Sequence, residues 1–309
     1  MLNKKLSTTI RTIVLLAPIL TPGLTAHAQT WNYLGGSAAY DIMTGKPNTL
    51  TDMSAHLPSD LKATILARLP EGVAIGNNLT ASNYIANDAG ANVILKKSAN
   101  IKVSFISEGA GYLNSVGYFK FNASELSSLP ITSVVDTIIF PNFSDNLLQF
   151  GQAVDLGNFS AGDAIGFTIV ANGWLPGGIN AFKTANSIFR TIRRFNPENP
   201  STTNLEAHTL LYVYPEKQLL ILAFEDLNRK TSSANDGNLT SDDDFNDVIL
   251  AIHVDPFDAV DCTDCNDITK VIGESGPISW REITTPAVVT DTLEQQKANI
   301  KKQGQANKK

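Results

Sequence analysis

Apolar and polar positions divide the chain into three stretches with different periods. From about Asn92 onward, short runs with period-2 alternation are separated by Gly, Asn, Pro and Ser, the signature of strands joined by polar turns. In "IKVSFIS", Ile101, Val103 and Phe105 alternate with Lys102 and Ser104. "VGYFKF" follows a Gly-rich turn, "SVVDTIIF" stops at Pro141, and "AIGFTIVANGW" runs into an Asn172-Gly173 turn. "TLLYVY" joins "QLLILAF" across Pro215-Glu216-Lys217, and "VILAIHV", Val248 to Val254, closes the series. Many strands with little helix predict a mainly β fold, an antiparallel β-sandwich or jelly roll, over residues 91–256.

The stretch before it, 29–90, contains one helical candidate. Ser59 stands at the cap position, Leu61, Ile65, Leu66 and Leu69 recur at helical spacing, and Pro70 ends the run. After Asp267 the pattern disappears. Residues 257–309 form an acidic, Cys-containing segment and a Lys-rich polar tail, "TLEQQKANIKKQGQANKK", which predicts disorder.

Composition adds an export signal. Lys4, Lys5 and Arg11 precede a short apolar core, Ile13 to Leu20, and Ala26-His27-Ala28 supplies small residues for cleavage near Ala28-Gln29, so residues 1–28 read as a signal peptide. The apolar core is too short for a bilayer span, and no later stretch approaches the roughly 20 residues that spanning requires. The expected location is therefore secreted, periplasmic or cell-surface. Without the three basic signal residues, 21 basic residues face 30 acidic ones, a formal charge of −9, which argues against nucleic acid as a partner.

The acids are concentrated. Twelve of the 30 lie among the 43 residues from Glu225 to Asp267, opposed by Arg229 and Lys230, which points to a cation site or a solvated acidic edge. Cys262 and Cys265 fall in the same region as a C-x-x-C. Its acidic neighbours disfavour a reactive thiolate, and in an exported chain a local disulfide is the plainer reading.

If Gln218 to Phe224 leads out to Glu225-Asp226 and Val248 to Val254 leads back from Asn246-Asp247, antiparallel pairing places both acidic groups at one end. The inventory there is Glu225, Asp226, Asp242, Asp243, Asp244, Asn246 and Asp247, with Asp236 and Asn238 in the long intervening loop. All are oxygen donors, which suits Ca²⁺, while Zn²⁺ would want nitrogen or sulfur and Mg²⁺ is the lesser candidate. Asp242-x-Asp244-x-Asn246 has the opening spacing of an EF-hand, but Asp247 stands where Gly should be and His253 where Glu should be. An Asx-turn network without metal is the alternative.

"FISEGAGYLNSVGYFKF", "LGNFSAGDAIGFTIVANGW", "AHTLLYVY", "LLILAFEDLNR" and "SDDDFNDVILAIHV" together resemble an exported bacterial family, domain of unknown function number 4114, whose relatives include LruC-type surface proteins. The resemblance spans roughly residues 91–254. It implies a secreted β-rich module binding Ca²⁺ through Glu225, Asp226, Asp242, Asp244, Asn246 and Asp247. Asp243 falls at a variable position, and Glu108 and Asn114 match the pattern as auxiliary positions near the site.

These readings converge on a secreted, calcium-binding, non-enzymatic β-sandwich for cell-surface or matrix interaction, with an extracellular polysaccharide or surface protein as partner. The alternative is a calcium-dependent carbohydrate-binding module in which Trp174, in "NGWLPGG", is the sugar platform. A glycoside hydrolase is less favoured. It needs one carboxyl with raised pKa in a pocket and a second about 5 to 9 Å away, whereas this cluster is crowded with acids. His56, His208 and His253 read as surface or structural histidines, and neither G-x-S-x-G, H-E-x-x-H nor a phosphate loop occurs.

Overall fold

A computed structural model describes residues 30–72, 74, 91–180, 183–199, 205–229 and 241–262, together with the backbone of 266–267, 270–273 and 276–279. The signal segment 1–28, Cys265, Asp236, Asn238 and the tail 281–309 lie outside the described residues.

The elements run β1 (Asn32–Tyr33), β2 (Thr51–Asp52), α1 (Leu61–Arg68), β3 (Val93–Ile94), β4 (Ala99–Ser107), β5 (Ser115–Asn122), β6 (Thr137–Phe140), β7 (Gln152–Phe159) and β8 (Asp163–Val170). They continue through β9 (Trp174–Leu175), β10 (Gly178–Ile179), β11 (Ile188–Arg190), β12 (Thr209–Tyr214), β13 (Leu219–Phe224), β14 (Val248–Asp255) and β15 (Asn266–Asp267). One sheet has the order β1-β6-β5-β8-β11, with β3 also paired to β8, and the other has the order β15-β12-β13-β14-β4-β7-β2. Pairing is antiparallel except for β1 with β6 and β12 with β15.

The expected sandwich is present, and its core is built from alternate residues of both sheets. Val103 and Phe105 of β4, Ile165, Phe167 and Ile169 of β8, Leu220, Leu222 and Phe224 of β13 and Leu250 and Ile252 of β14 share one cluster. The other faces of β13 and β14 are equally apolar because α1 covers them: Leu61, Ile65 and Leu69 pack with Leu219, Ile221, Ala223, Ile249 and Ala251. Burial on both faces explains why "LLILAF" and "VILAI" read as continuous apolar runs.

The segment before residue 91 is thus part of the fold. It supplies β1 to one sheet, β2 to the other and α1 to the outer layer. α1 begins one residue later than the cap reading: Asp60, not Ser59, is the N-cap, and its side chain makes no capping bond.

Two other details differ from the alternation pattern. "SVVDTIIF" yields a strand only at Thr137–Phe140, because Asp136 is buried against Arg190, whose Nη2 donates to Asp136 Oδ2 at 2.6 Å. β7 is masked in the sequence by Gly157, at φ 89°, where the register against β4 shifts between Ile101 and Lys102. That irregularity breaks the period-2 pattern by which a strand is recognised.

Candidate metal centre

The β13–β14 register sets the site. Phe224 pairs with Val248 and Leu222 with Leu250, so Glu225 and Asp247 leave the two strands side by side. On the other flank of β14, Ile249 pairs with Ser107, which brings Glu108 and Gly109 to the same end.

The incoming loop is tied at its base. Ser241 N donates to Asn228 O at 3.4 Å, and Arg229 Nε donates to Asp243 Oδ1 at 2.6 Å. Asp243 and Phe245 both sit in the left-handed region, at φ 61° and 57°, uncommon for non-glycine residues and worst for a bulky one. Burial offsets that strain: Phe245 is fully buried in the cluster beneath α1, with the Arg229 guanidinium 5.0 Å from its ring centroid. Anchoring Phe245 inward fixes Asp244 and Asn246 on either side of it.

Two groups of carboxylates result. One oxygen each from Glu225, Asp244 and Asp247 lie within 4.8 Å of one another, and the same holds for Glu71, Asp242 and Asp244. Asp244 belongs to both. It accepts from Asn246 N at 3.0 Å and, on its other oxygen, from Asn246 Nδ2 at 2.9 Å and Gly72 N at 2.7 Å. Gly72 reaches it from just beyond α1 in a left-handed conformation, φ 67°, that suits glycine.

Neutral donors do not balance this charge. Two carboxylates at such a separation repel by roughly 3 kcal/mol at an effective dielectric of about 20. Among the described residues, Glu71, Glu225, Asp226, Asp242, Asp244 and Asp247 form no ion pair. Burial, reinforced by the fields of Asp226, Asp242 and Asp244, holds Glu225 well above the usual carboxylate range. Burial together with Asp226, Glu225 and Asp244 does the same to Asp247. Burial pushes Asp226 up to about 7 against the opposing hydrogen bond from Asn114 and field of Lys183. Glu71 rises to about 7 through burial and then Asp244 and Asp242, Asp244 to about 6 through burial and Asp242, and Asp242 rises through burial. All six carboxyls are thus shifted in the same direction, toward the protonated form.

Glu225, Asp242, Asp244 and Asp247 therefore come together. Asp226 stands beside them: its N–H donates to Asp247 Oδ2 at 2.7 Å, and its own Oδ2 accepts from Asn114 Nδ2 at 2.6 Å. Asn114 braces the centre, because its Oδ1 is occupied by the N–H of Asn172 at 2.9 Å. Asp243 turns away to Arg229. Glu108 is outside both groups and accepts from Asp145 N at 3.4 Å. Asn246 turns its Nδ2 toward Leu69 O at 3.1 Å.

Trp174 corrects the sugar-platform expectation. It is 2 % exposed, packed edge-on to Tyr40 at 5.9 Å and against Gly45, so its face is not available for stacking. Cys262 is partly buried against the core, and its expected partner Cys265 lies outside the described residues. His208 is structural. It is fully buried, stacked on Phe189 at 3.9 Å, with Nδ1 3.0 Å from the carbonyl oxygen of Glu225 and Nε2 3.1 Å from Glu198 Oε2. His253 lies 2.7 Å from Ser104 Oγ, and burial depresses it to about 4.

The residue missed in the sequence is Glu71. Its approach depends on α1 docking across the sheet, and no local pattern links it to a loop some 170 residues further on.

Fold and site together define an antiparallel β-sandwich with a buried all-oxygen centre at one end. Residues 159–255 match the family described as Domain of unknown function (DUF4114). The matched stretch runs from the end of β7 through β14 and contains Glu225 through Asp247, whereas Glu71, Glu108 and Asn114 lie outside it. No curated protein and no solved structure matches the chain.

Proposed function

We propose that this chain is an exported calcium-binding module that mediates cell-surface or matrix interaction without catalysis. The observation that carries the reading is the convergence of Glu225, Asp244 and Asp247 within 4.8 Å, with no ion pair to any of them among the described residues. Three carboxylates supply the hard oxygen donors that Ca²⁺ prefers, and further oxygens, waters included, would complete the six to eight it takes at about 2.3 to 2.6 Å. Glu225, Asp244 and Asp247 would hold it, with Asp226 and Asn114 fixing their positions. Bound calcium would supply the missing positive charge and couple the β13–β14 loop to the folded state. The carbohydrate-binding alternative lacks its aromatic platform, since Trp174 is buried.

The test is thermal unfolding of the full chain in millimolar Ca²⁺ and in EDTA. Calcium is expected to raise the melting temperature and EDTA to reverse the rise. Superimposable melting curves would remove the calcium reading.

A further inference from the structure

We propose that the centre holds two cations sharing the Asp244 carboxylate, with a second divalent ion of the calcium class seated between Glu71, Asp242 and Asp244 and taking Asn246 Oδ1 as a further ligand. This inference rests on the reading of Glu225, Asp244 and Asp247 as the first calcium site.

Geometry separates the two positions. Each trio is mutually within 4.8 Å, yet only Asp244 belongs to both, which is the arrangement of a bridging carboxylate. The positions also differ in access. Glu225 and Asp244 are buried, whereas Asp242 is exposed and Glu71 half-buried, so the second site stands nearer to solvent, from which waters could complete a calcium shell.

An independent observation marks the second site as made for a ligand. Asn246 is 1 % exposed, and its Oδ1 has no hydrogen-bond partner. The orientation of its amide is set by Nδ2, which faces both Leu69 O and Asp244 Oδ2. A buried carbonyl oxygen without a donor is disfavoured unless something positive faces it. Asn246 Oδ1 and Glu71 Oε2 both approach Gly109, where a Cβ would stand 2.1 Å from the first and 3.0 Å from the second. Gly109 has no left-handed φ, so space rather than backbone conformation accounts for glycine there.

The consequence is a clamp. Leu69 O, Gly72 N and Glu71 all belong to the chain leaving α1, and all three meet the Asp244–Asn246 loop. A cation between Glu71 and Asp242 adds a charged tie between the helix layer and the sandwich that the neutral contacts do not provide.

Native mass spectrometry and titration calorimetry of the full chain with Ca²⁺ alone would count the ions. Two ions per chain are expected for the wild type and one for Glu71→Gln, which keeps shape and folding while removing the charge. Gly109→Val, whose side chain would displace Asn246 Oδ1, is also expected to bind one. Hydrogen exchange over residues 61–72 should slow on calcium addition in the wild type and stay unchanged in Glu71→Gln. A wild type that binds one ion, or a Glu71→Gln variant that still binds two, overturns the second site while leaving the first. A chain that binds none overturns both.

Discussion

Asp136 and Asp244 are both buried carboxylates beside the ends of strands, yet the fold treats them in opposite ways. Asp136 faces a guanidinium: Arg190 donates through Nη2 at 2.6 Å and Nε at 3.3 Å, and Thr168 Oγ1 adds a third bond at 2.6 Å. Asp244 receives three N–H groups and faces Glu71, Glu225, Asp242 and Asp247. The first site is complete within the chain. The second has no counter-charge among the described residues, and on the proposed calcium reading an imported cation completes it.

The comparison breaks most severely at Arg190. Arg190→Met leaves Asp136 buried without its counter-ion and should cost about 3 to 5 kcal/mol in denaturant unfolding. The calcium response should be unaffected, because the pair is not part of the centre. If calcium-induced stabilisation disappeared too, the two sites would not be independent.

Calcium is expected to give the next largest effect. At a hundredfold excess over the dissociation constant, binding adds about 2.7 kcal/mol, and for a domain this size that is on the order of 5 to 10 °C in melting temperature. Asp244→Asn should abolish the shift. In EDTA at neutral pH the same variant should be at least as stable as the wild type, since one repelling charge has gone. Differential scanning calorimetry of both proteins with and without calcium distinguishes these outcomes.

A smaller effect concerns pH. A carboxylate whose folded-state pKa stands above its unfolded value binds more protons folded than unfolded, so stability falls as pH rises between the two. With Glu71 and Asp226 raised to about 7 and Asp244 to about 6, the EDTA-treated protein should lose stability from about pH 4 to about pH 7. Saturating calcium should cancel or invert that slope, because the ion requires the deprotonated oxygens. His253, depressed to about 4, works in the opposite sense by favouring the fold as pH rises through the same range. His253→Gln should therefore steepen the EDTA slope.

The smallest effect is expected at Asp243. Its bond to Arg229 is partly exposed, and Asp243→Asn keeps an oxygen for the guanidinium, so the change should stay within about 1 kcal/mol. Calcium binding measured by calorimetry should be retained.

Much of this was legible in the residues. Alternation in "IKVSFIS" and "VGYFKF" and the apolar runs flanking Glu225 and Asp247 were sufficient for the sandwich and for the pairing that gathers the acids. The inward position of Phe245 is legible too, because it is the one large apolar residue within an acidic run. The rest depends on contacts that sequence spacing does not encode. Glu71 joins the centre through helix docking across a sheet, and β7 hides behind the irregularity at Gly157. Trp174 lies in a Gly- and Pro-rich turn that suggests exposure, but the β9–β10 pair and Tyr40 enclose it.

The tie between Asn228–Arg229 and Ser241–Asp243 has one more consequence, which concerns tolerance to insertion. The ends at Arg229 and Ser241 are fixed at the sandwich, and doubling the length of a loop between fixed ends adds only about 0.6 kcal/mol. Foreign peptides placed between these ends should leave the scaffold folded, which would make the position a natural graft point for epitopes or affinity tags.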